Sequence, residues 1–132
     1  MSSRDSQVGA SASGGHLDDL EALKLRLRRF ADDRDWAQFH SPKNLAMALS
    51  VEVAELAEIF QWLTEQQSIA LDETRRRRAE EELADVFVYL VRLADRLDVD
   101  LLDAAVRKVA DNERKYPATR VRGKALKYDE YD

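Results

Sequence analysis

The sequence contains no cysteine, and its 132 residues include only two histidines, two prolines and four glycines. The lack of cysteine excludes a disulfide framework, a thiolate zinc site and a cysteine nucleophile. No apolar run approaches the roughly 20 residues of a membrane span, and residues 1–15 lack the apolar core of a signal peptide. We therefore predict a soluble, cytoplasmic protein with no membrane partner.

Positive charge is outnumbered by negative charge. The 21 lysines and arginines are outnumbered by 26 aspartates and glutamates, which gives a net charge of −5. General nucleic-acid binders need an excess of positive charge to neutralise phosphates. This balance argues against a nucleic-acid polymer as a partner.

Alternation of apolar and polar residues, which is typical of strands, is missing, whereas apolar residues recur at helical spacing. The pattern predicts an all-α fold: a disordered tail over residues 1–16, one helical domain over 17–117 and a C-terminal tail over 118–132. Ser41-Pro42 and Asp100 are helix-start signals, and residues 65–72 are predicted to form a loop. The four predicted helices cover 17–33, 42–64, 73–96 and the segment between Asp100 and Pro117.

The second predicted helix is apolar around much of its circumference, which is more surface than one partner helix can cover. A chain of this length also has limited capacity to bury charges without help. We therefore predict a homo-oligomer, either a dimer or a tetramer, with the tetramer favoured. The apolar residues concerned are Leu45, Met47, Leu49, Val51, Val53, Leu56, Ile59 and Phe60.

Four carboxylates occur inside the most apolar stretches, as the pairs Glu52/Glu55 and Glu82/Asp85. Residues three apart share one helix face, so two antiparallel helices would bring all four acids together. Such a cluster repels itself unless a cation shares it, and oxygen ligands favour Mg²⁺ or Mn²⁺. The spacing therefore predicts a divalent metal site.

Two alternatives compete with that interpretation. The acids would be two solvated helix faces if their neighbours were polar, but Glu52 lies between two valines and Asp85 precedes an apolar run. A carboxylate-bridged di-iron bundle uses Glu-x-x-His pairs, and neither His16 nor His40 follows a glutamate by three residues.

The motif Glu52-x-x-Glu55, followed by Glu82-x-x-Asp85, resembles the signature of the MazG-like, all-α nucleoside triphosphate pyrophosphohydrolases. The segments 34–40 and 55–62 and the ending Lys-x-x-x-Asn-x-x-x-Tyr-Pro over 108–117 are similar, more narrowly, to the dCTP pyrophosphatase branch. The likeness covers roughly residues 20–131. Many relatives have a Glu-Glu doublet where Val51 precedes Glu52 here; the dCTP branch also tends to lack it.

This resemblance implies Mg²⁺-dependent hydrolysis of a nucleoside triphosphate, preferably dCTP or a modified dCTP, to the monophosphate and pyrophosphate, in a role of nucleotide-pool cleansing. It assigns Glu52, Glu55, Glu82 and Asp85 to the metal, with Glu55 positioning the attacking water. Hydrolysis of dUTP or of phosphoribosyl-ATP is a rival within the enzyme class. A helical module that binds a nucleotide or a partner without catalysis is the rival outside it.

The resemblance also implies a set of substrate-binding residues. Trp36 and Trp62 would stack the base while His40, which can donate or accept a hydrogen bond, reads its edge. Tyr89 lies one turn beyond Asp85, and Lys108 and Asn112 share one helix face towards phosphate and sugar. The alternatives are core packing for the tryptophans and Tyr89, and a solvated helix end for Lys108 and Asn112. The resemblance also implies that Tyr116 binds substrate and that Lys108 is catalytic as well as substrate-binding.

Overall fold

A computed structural model describes residues 12–125 and Glu130. In that part of the chain every regular element is helical and no strand occurs, which confirms the all-α prediction. None of its helices has both the length and the apolar character required to cross a membrane. The elements are α1 (Ala12–Asp33), a 3₁₀ turn (Ala37–Phe39), α2 (Pro42–Phe60), α3 (Glu65–Ile69), α4 (Glu73–Arg96), α5 (Leu101–Lys115) and α6 (Ala118–Val121).

The helix-start signals read from the sequence are present as hydrogen bonds. The backbone N–H of Asn44 donates to Ser41 Oγ at 3.2 Å at the start of α2. At the start of α5 the N–H of Asp103 donates to Asp100 Oδ1 at 3.0 Å. Each cap satisfies an N–H that has no partner within its own helix.

The segment after α2 differs from the prediction. Helix α2 ends at Phe60 rather than Thr64, and the predicted loop contains α3. Thr64 and Gln67 form a reciprocal capping box: the Gln67 N–H donates to Thr64 Oγ1 at 3.1 Å, and the Thr64 N–H donates to Gln67 Oε1 at 2.9 Å. Two satisfied donors are enough to start a short helix in a polar segment.

Both predicted tails contain helical residues. Helix α1 begins at Ala12 instead of Leu17, so residues 12–16 of the predicted tail are helical. Adding turns to an existing helix is much less costly than nucleating one. The predicted C-terminal tail contains the single turn α6. The disorder predicted for residues 1–11 and the residues 126–129, 131 and 132 of the C-terminal tail lie outside the described residues.

The chain divides into two compact units, one up to Leu97 and one from Asp98 onward. In the first unit α2 packs on α4, and α1 also packs on α4. Because His40, before α2, contacts the end of α4 while Glu52 meets Glu82 further back, the two helices run antiparallel. The buried apolar residues are Ala31, Leu45, Ile59, Ala79, Val91 and Ala94.

That core is thin. Of its members among the described residues, Leu45 is the only large side chain that is almost fully buried, and three others are alanines. Many large apolar side chains are left in contact with solvent in the isolated chain, including Met47 and Val51 on α2 and Leu83 on α4.

Candidate functional site

Helices α2 and α4 bring three of the four predicted metal-binding carboxylates together. One oxygen from each of Glu52, Glu82 and Asp85 lies within 4.8 Å of the other two. Glu52 and Glu82 are half-buried, whereas Asp85 is exposed. The i,i+3 spacing on α4 and the antiparallel packing against α2 produce this juxtaposition, as the sequence predicts.

The cluster contains acceptors without donors. Glu52 Oε2 and Glu82 Oε2 are both buried, and no group in residues 12–125 donates a hydrogen bond to either oxygen. Burial, the adjacent Glu82 carboxyl and the charges of Glu55 and Asp85 raise the pKa of Glu52 to about 7. A buried acceptor without a partner is costly, and a divalent cation satisfies several oxygens at once. The residues present therefore fit a hard cation such as Mg²⁺ or Mn²⁺.

Glu55, the fourth predicted ligand, borders this cluster. Its side chain is exposed, and it does not belong to the group of oxygens within 4.8 Å of one another. Its carboxyl is nevertheless close enough to contribute to the raised pKa of Glu52. Glu55 is thus placed beside the three clustered acids and remains accessible to water.

A cavity of about 240 Å³ lies further along α4 in the same unit. Three of the predicted substrate-binding residues, Trp36, His40 and Tyr89, line it together. Tyr89 follows Asp85 by four residues, so the cavity wall and the carboxylate cluster occupy neighbouring turns of α4. The remaining lining residues are Leu27, Phe30, Val88 and Arg92.

The connector after α1 holds the Trp36 ring at this cavity. Asp35 adopts a left-handed conformation with φ 55°, which turns the chain, and the Trp36 N–H donates to the Ala31 carbonyl at 2.8 Å. The rings of Trp36 and Phe30 meet edge to face with centroids 5.7 Å apart, and the Arg34 guanidinium lies 3.6 Å from the Phe30 ring centre. These contacts fix one side of the ring and leave 45% of the residue exposed, as a stacking surface requires.

His40 is held by two arginines of α4. Arg92 Nε donates to His40 Nδ1 at 3.3 Å, and Arg96 Nε donates to the His40 carbonyl at 3.0 Å. Burial lowers the pKa of His40, and the positive charges of Arg92 and Arg96 lower it further. The imidazole is therefore neutral at neutral pH, a state suited to hydrogen bonding with a base.

Trp62 is not brought to the same cavity. It follows the end of α2 and is 86% exposed. Trp62 is not among the residues that line the Trp36 cavity. The assignment of Trp62 to base binding stays a prediction.

The second unit contains the other predicted substrate-binding residues. Lys108 and Asn112 are exposed and lie four residues apart on one face of α5. Tyr116 caps the end of that helix, where its N–H donates to the Asn112 carbonyl at 2.8 Å. Their roles at phosphate or sugar stay predictions.

Arg92 was not among the residues predicted for the site. It is 5% exposed, and its guanidinium lines the cavity and contacts His40. A signal for it exists in the sequence: Arg92 is the only charged residue between Val86 and Ala94, and it follows Tyr89 by three residues. A lone cation on the same helix face as a candidate site residue indicates a specific partner.

Comparison with known proteins agrees with this geometry. The model of the MazG-like family matches residues 47–130, which include all four predicted metal-binding acids. The chain is 47% identical to the dCTP pyrophosphatase 1 of Mus musculus over 111 residues, covering 83% of this chain and 65% of the relative. It is 47% identical to the dCTP pyrophosphatase 1 of Homo sapiens over 113 residues, covering 84% and 66% respectively. The chain thus spans just under two thirds of the length of these curated relatives.

A solved structure is similar as well. The crystal structure of a pyrophosphatase from Archaeoglobus fulgidus superimposes with a TM-score of 0.69 at 45% sequence identity, covering 77% of this chain and 93% of that one. The family match and the identities over most of the chain confirm the resemblance that the carboxylate motif indicates. The chain belongs to the MazG-like family.

Proposed function

We propose that this protein is a nucleoside triphosphate pyrophosphohydrolase that converts deoxynucleoside triphosphates, preferably dCTP or a modified dCTP, to the monophosphate and pyrophosphate. The names of the relatives, dCTP pyrophosphatase 1 and a pyrophosphatase, support the reaction and the substrate class. The proposed biological role is cleansing of the nucleotide pool in the cytoplasm.

One observation carries this proposal. Two buried carboxylate oxygens without donors, Glu52 Oε2 and Glu82 Oε2, lie in a cluster with Asp85, and an aromatic cavity begins one turn further along α4. An acidic cluster alone would repel a triphosphate, so its use in triphosphate binding requires a divalent cation. The adjoining cavity has the apolar walls and few polar groups that are typical of a base pocket.

We assign Glu52, Glu82 and Asp85 to hold Mg²⁺, or Mn²⁺ in its place, with Glu55 at their border. When bound, such a cation supplies neutralisation of the triphosphate oxygens and makes water more acidic. Glu55 is exposed and lies outside the three clustered acids, so it is suited to orient the attacking water and to accept its proton. Cleavage of the bond between the α- and β-phosphates then releases pyrophosphate.

The Trp36 cavity is assigned to the base. Trp36 is 45% exposed and lines the cavity, which suits stacking, while His40 offers a hydrogen-bonding edge and Tyr89 a hydroxyl on the turn next to Asp85. Stacking holds any pyrimidine, so discrimination depends on the polar edge. Lys108, Asn112 and Tyr116 are assigned to phosphate and sugar on the strength of the family motif alone.

Assembly into a dimer or a tetramer is part of the proposal. Met47 and Val51 form one exposed apolar i,i+4 pair on α2, and Leu83 and Phe87 form another on α4. Exposed apolar surface of this extent is typical of an association surface. A second copy of the chain is the proposed cover.

The test is a panel of triphosphates assayed in parallel with the full chain. We expect steady release of pyrophosphate rather than orthophosphate, with the highest kcat/KM for dCTP and complete loss in EDTA. A module that only binds nucleotide would retain affinity without releasing any product. A maximum for dUTP or for phosphoribosyl-ATP would reassign the substrate but keep the reaction class.

A further inference from the structure

A chain of two ion pairs, of which Arg92–Asp95 is buried, ends at the ring of His40. Arg92, whose side chain is 6% exposed, places Nη1 at 3.3 Å from Asp95 Oδ2. Arg28 binds the same carboxylate with two bonds, Nε to Oδ2 at 3.1 Å and Nη2 to Oδ1 at 2.6 Å. The chain Arg28–Asp95–Arg92 thereby restricts where the Arg92 guanidinium can lie.

The bond from Arg92 to His40 has only one chemically consistent direction. A guanidinium has no acceptor and stays charged, so Arg92 Nε must donate and His40 Nδ1 must present a lone pair. A neutral imidazole that accepts at Nδ1 carries its proton at Nε2. Turning the ring over would put a C–H group against the buried N–H of Arg92 and lose the bond, which is costly inside the protein.

We propose that Arg92 is a positioning residue that holds His40 as the neutral Nε2–H tautomer, so that the imidazole acts as a hydrogen-bond donor towards a base in the Trp36 cavity. This rests on the proposed function, because it concerns how the same cavity selects its base. Arg92 acts through His40 and takes no part in the reaction at phosphate.

A fixed donor that meets position N3 of the base separates pyrimidines. The ring nitrogen N3 of cytosine is an acceptor, whereas N3 of thymine and uracil carries a proton. A donor that meets N3–H leaves two buried donors facing each other, and such unpaired polar groups produce strong discrimination. The ligand class that fits an Nε2–H donor at that position is therefore a pyrimidine with an unprotonated N3.

The first test is the tautomer itself, measured on the wild-type full chain without nucleotide. Heteronuclear NMR of protein labelled with ¹⁵N-histidine distinguishes a protonated from an unprotonated ring nitrogen, and His16→Ala identifies which of the two histidine spin systems belongs to His40. We expect His40 to be protonated at Nε2 only, at neutral pH. A proton on Nδ1, or on both nitrogens, would overturn the proposal whatever the activity of the protein.

The second test uses Arg92→Met, with Arg92→Lys and Arg96→Gln beside it. In Arg92→Met the Asp95 carboxylate keeps Arg28 as a partner, so no buried charge is left alone. We expect a mixture of His40 tautomers and a loss of about tenfold in the dCTP to dTTP ratio of kcat/KM, as for one hydrogen bond. The change should appear mainly in KM.

Arg92→Lys keeps a cationic donor and should restore most of the tautomer and the ratio. Arg96→Gln is the matched control, because Arg96 contacts the His40 backbone carbonyl and not the ring. If Arg92→Met does not fold, the wild-type tautomer and Arg92→Lys decide the matter. An unchanged tautomer and an unchanged ratio in folded Arg92→Met would refute the proposal.

Failure of the proposed function and failure of the Arg92 proposal give different results. A protein that hydrolyses no nucleotide but shows the Arg92-dependent Nε2–H tautomer contradicts the proposed function and leaves the positioning of His40 intact. A protein that prefers dCTP equally in wild type and Arg92→Met contradicts only the role of Arg92.

Discussion

Glu52 on α2 and Glu82 on α4 face each other, each with one buried oxygen that receives no hydrogen bond from the described residues. Two carboxylates in such a position favour either a shared proton or a cation between them. If a divalent cation binds here as proposed, protons compete with it for the same oxygens, and metal affinity then depends on pH.

The metal-free protein should lose stability as the pH rises. Burial, together with the acids around it, raises the pKa of Glu52 from 4.5 to about 7. The native state thus holds a proton that the unfolded chain releases, so this contribution is full below pH 4.5 and is lost as the pH rises through 7. Glu52→Gln should raise the melting temperature in EDTA above pH 7 and change it little below pH 4.5.

Thermal unfolding in EDTA across this pH range measures the effect, and Glu58→Gln, exposed on the same helix, is the control. An equal shift at both ends of the range would show that the Glu52 carboxyl is not the titrating group.

Divalent metal should stabilise the protein through the same cluster. A ligand that binds only the native state adds about 2.7 kcal/mol at one hundred times its Kd. We expect millimolar Mg²⁺ or Mn²⁺ to raise the melting temperature, and Glu82→Gln or Asp85→Asn to remove most of that increase. Glu81→Gln makes the same charge change at an exposed neighbour and should keep it. No response to either ion in the wild type would count against the metal centre.

Base selection should depend on His40 and base affinity on Trp36. His40→Ala is expected to narrow the difference between dCTP and dTTP, because it removes the polar edge of the cavity. Trp36→Ala is expected to raise KM for all nucleotides together, by the equivalent of about 1 to 3 kcal/mol of lost stacking. Steady-state kinetics on both substrates separates these patterns. If both variants keep the wild-type kcat and KM on both nucleotides, His40 and Trp36 serve packing and do not bind the base.

Lys108→Ala should lower kcat for every triphosphate by about tenfold or more without altering their ranking, because a phosphate contact is common to all of them. Arg107→Ala is the control, since Arg107 lies next to Lys108 and binds Asp103 on its own helix at 2.9 Å. A change in the ranking of the nucleotides by base in Lys108→Ala would contradict the assignment of Lys108 to phosphate.

The exposed apolar residues of α2 and α4 should form the association surface. Val51→Lys and Phe87→Lys, at positions that are 55% and 45% exposed, are expected to shift the protein towards the monomer in light scattering at micromolar concentration. Ser50→Lys adds the same charge at an adjacent exposed polar position and should leave the assembly unchanged. A wild-type monomer would contradict the proposed oligomer.

Trp62 provides a separate probe of assembly. Its ring is exposed in the isolated chain and does not line the Trp36 cavity. If a neighbouring subunit brings it to a base, Trp62→Ala should weaken all nucleotides together. An unchanged KM would indicate that Trp62 belongs to the association surface and does not bind the base.

The features predicted correctly from the sequence are those that depend on neighbours along the chain. Ser41 and Asp100 cap helices through residues three positions away, and Glu82 and Asp85 share a helix face for the same reason. The capping box of Thr64 is equally local, and its Thr-x-x-Gln spacing was readable, but the polar composition of the segment suggested a loop.

Other features depend on packing between distant parts of the chain. Arg92 meets His40 across 52 positions, and Arg28 meets Asp95 across 67. Helical periodicity indicates which face of α4 is buried but not which polar group from a distant part of the chain contacts that face. Which of the two tryptophans lines the cavity is likewise a tertiary result, because no local rule relates a connector before α2 to the residues after it.

Helix α4 carries two acids of the carboxylate cluster, Glu82 and Asp85, and part of the cavity wall without interruption. No proline or glycine occurs between Glu73 and Arg96, so the helix lacks the residues at which sharp kinks usually occur. At about 1.5 Å per residue, Glu82 and Arg92 are separated by roughly 15 Å along the axis. The helix therefore fixes the distance between the carboxylate cluster and the cavity, which under the proposed function is the distance between the phosphate end and the base end of the substrate. One residue inserted between Asp85 and Tyr89 would lengthen that distance by about 1.5 Å and rotate the cavity wall by about 100° relative to the acids. The carboxylate cluster and the cavity would then no longer be placed to bind the same ligand molecule.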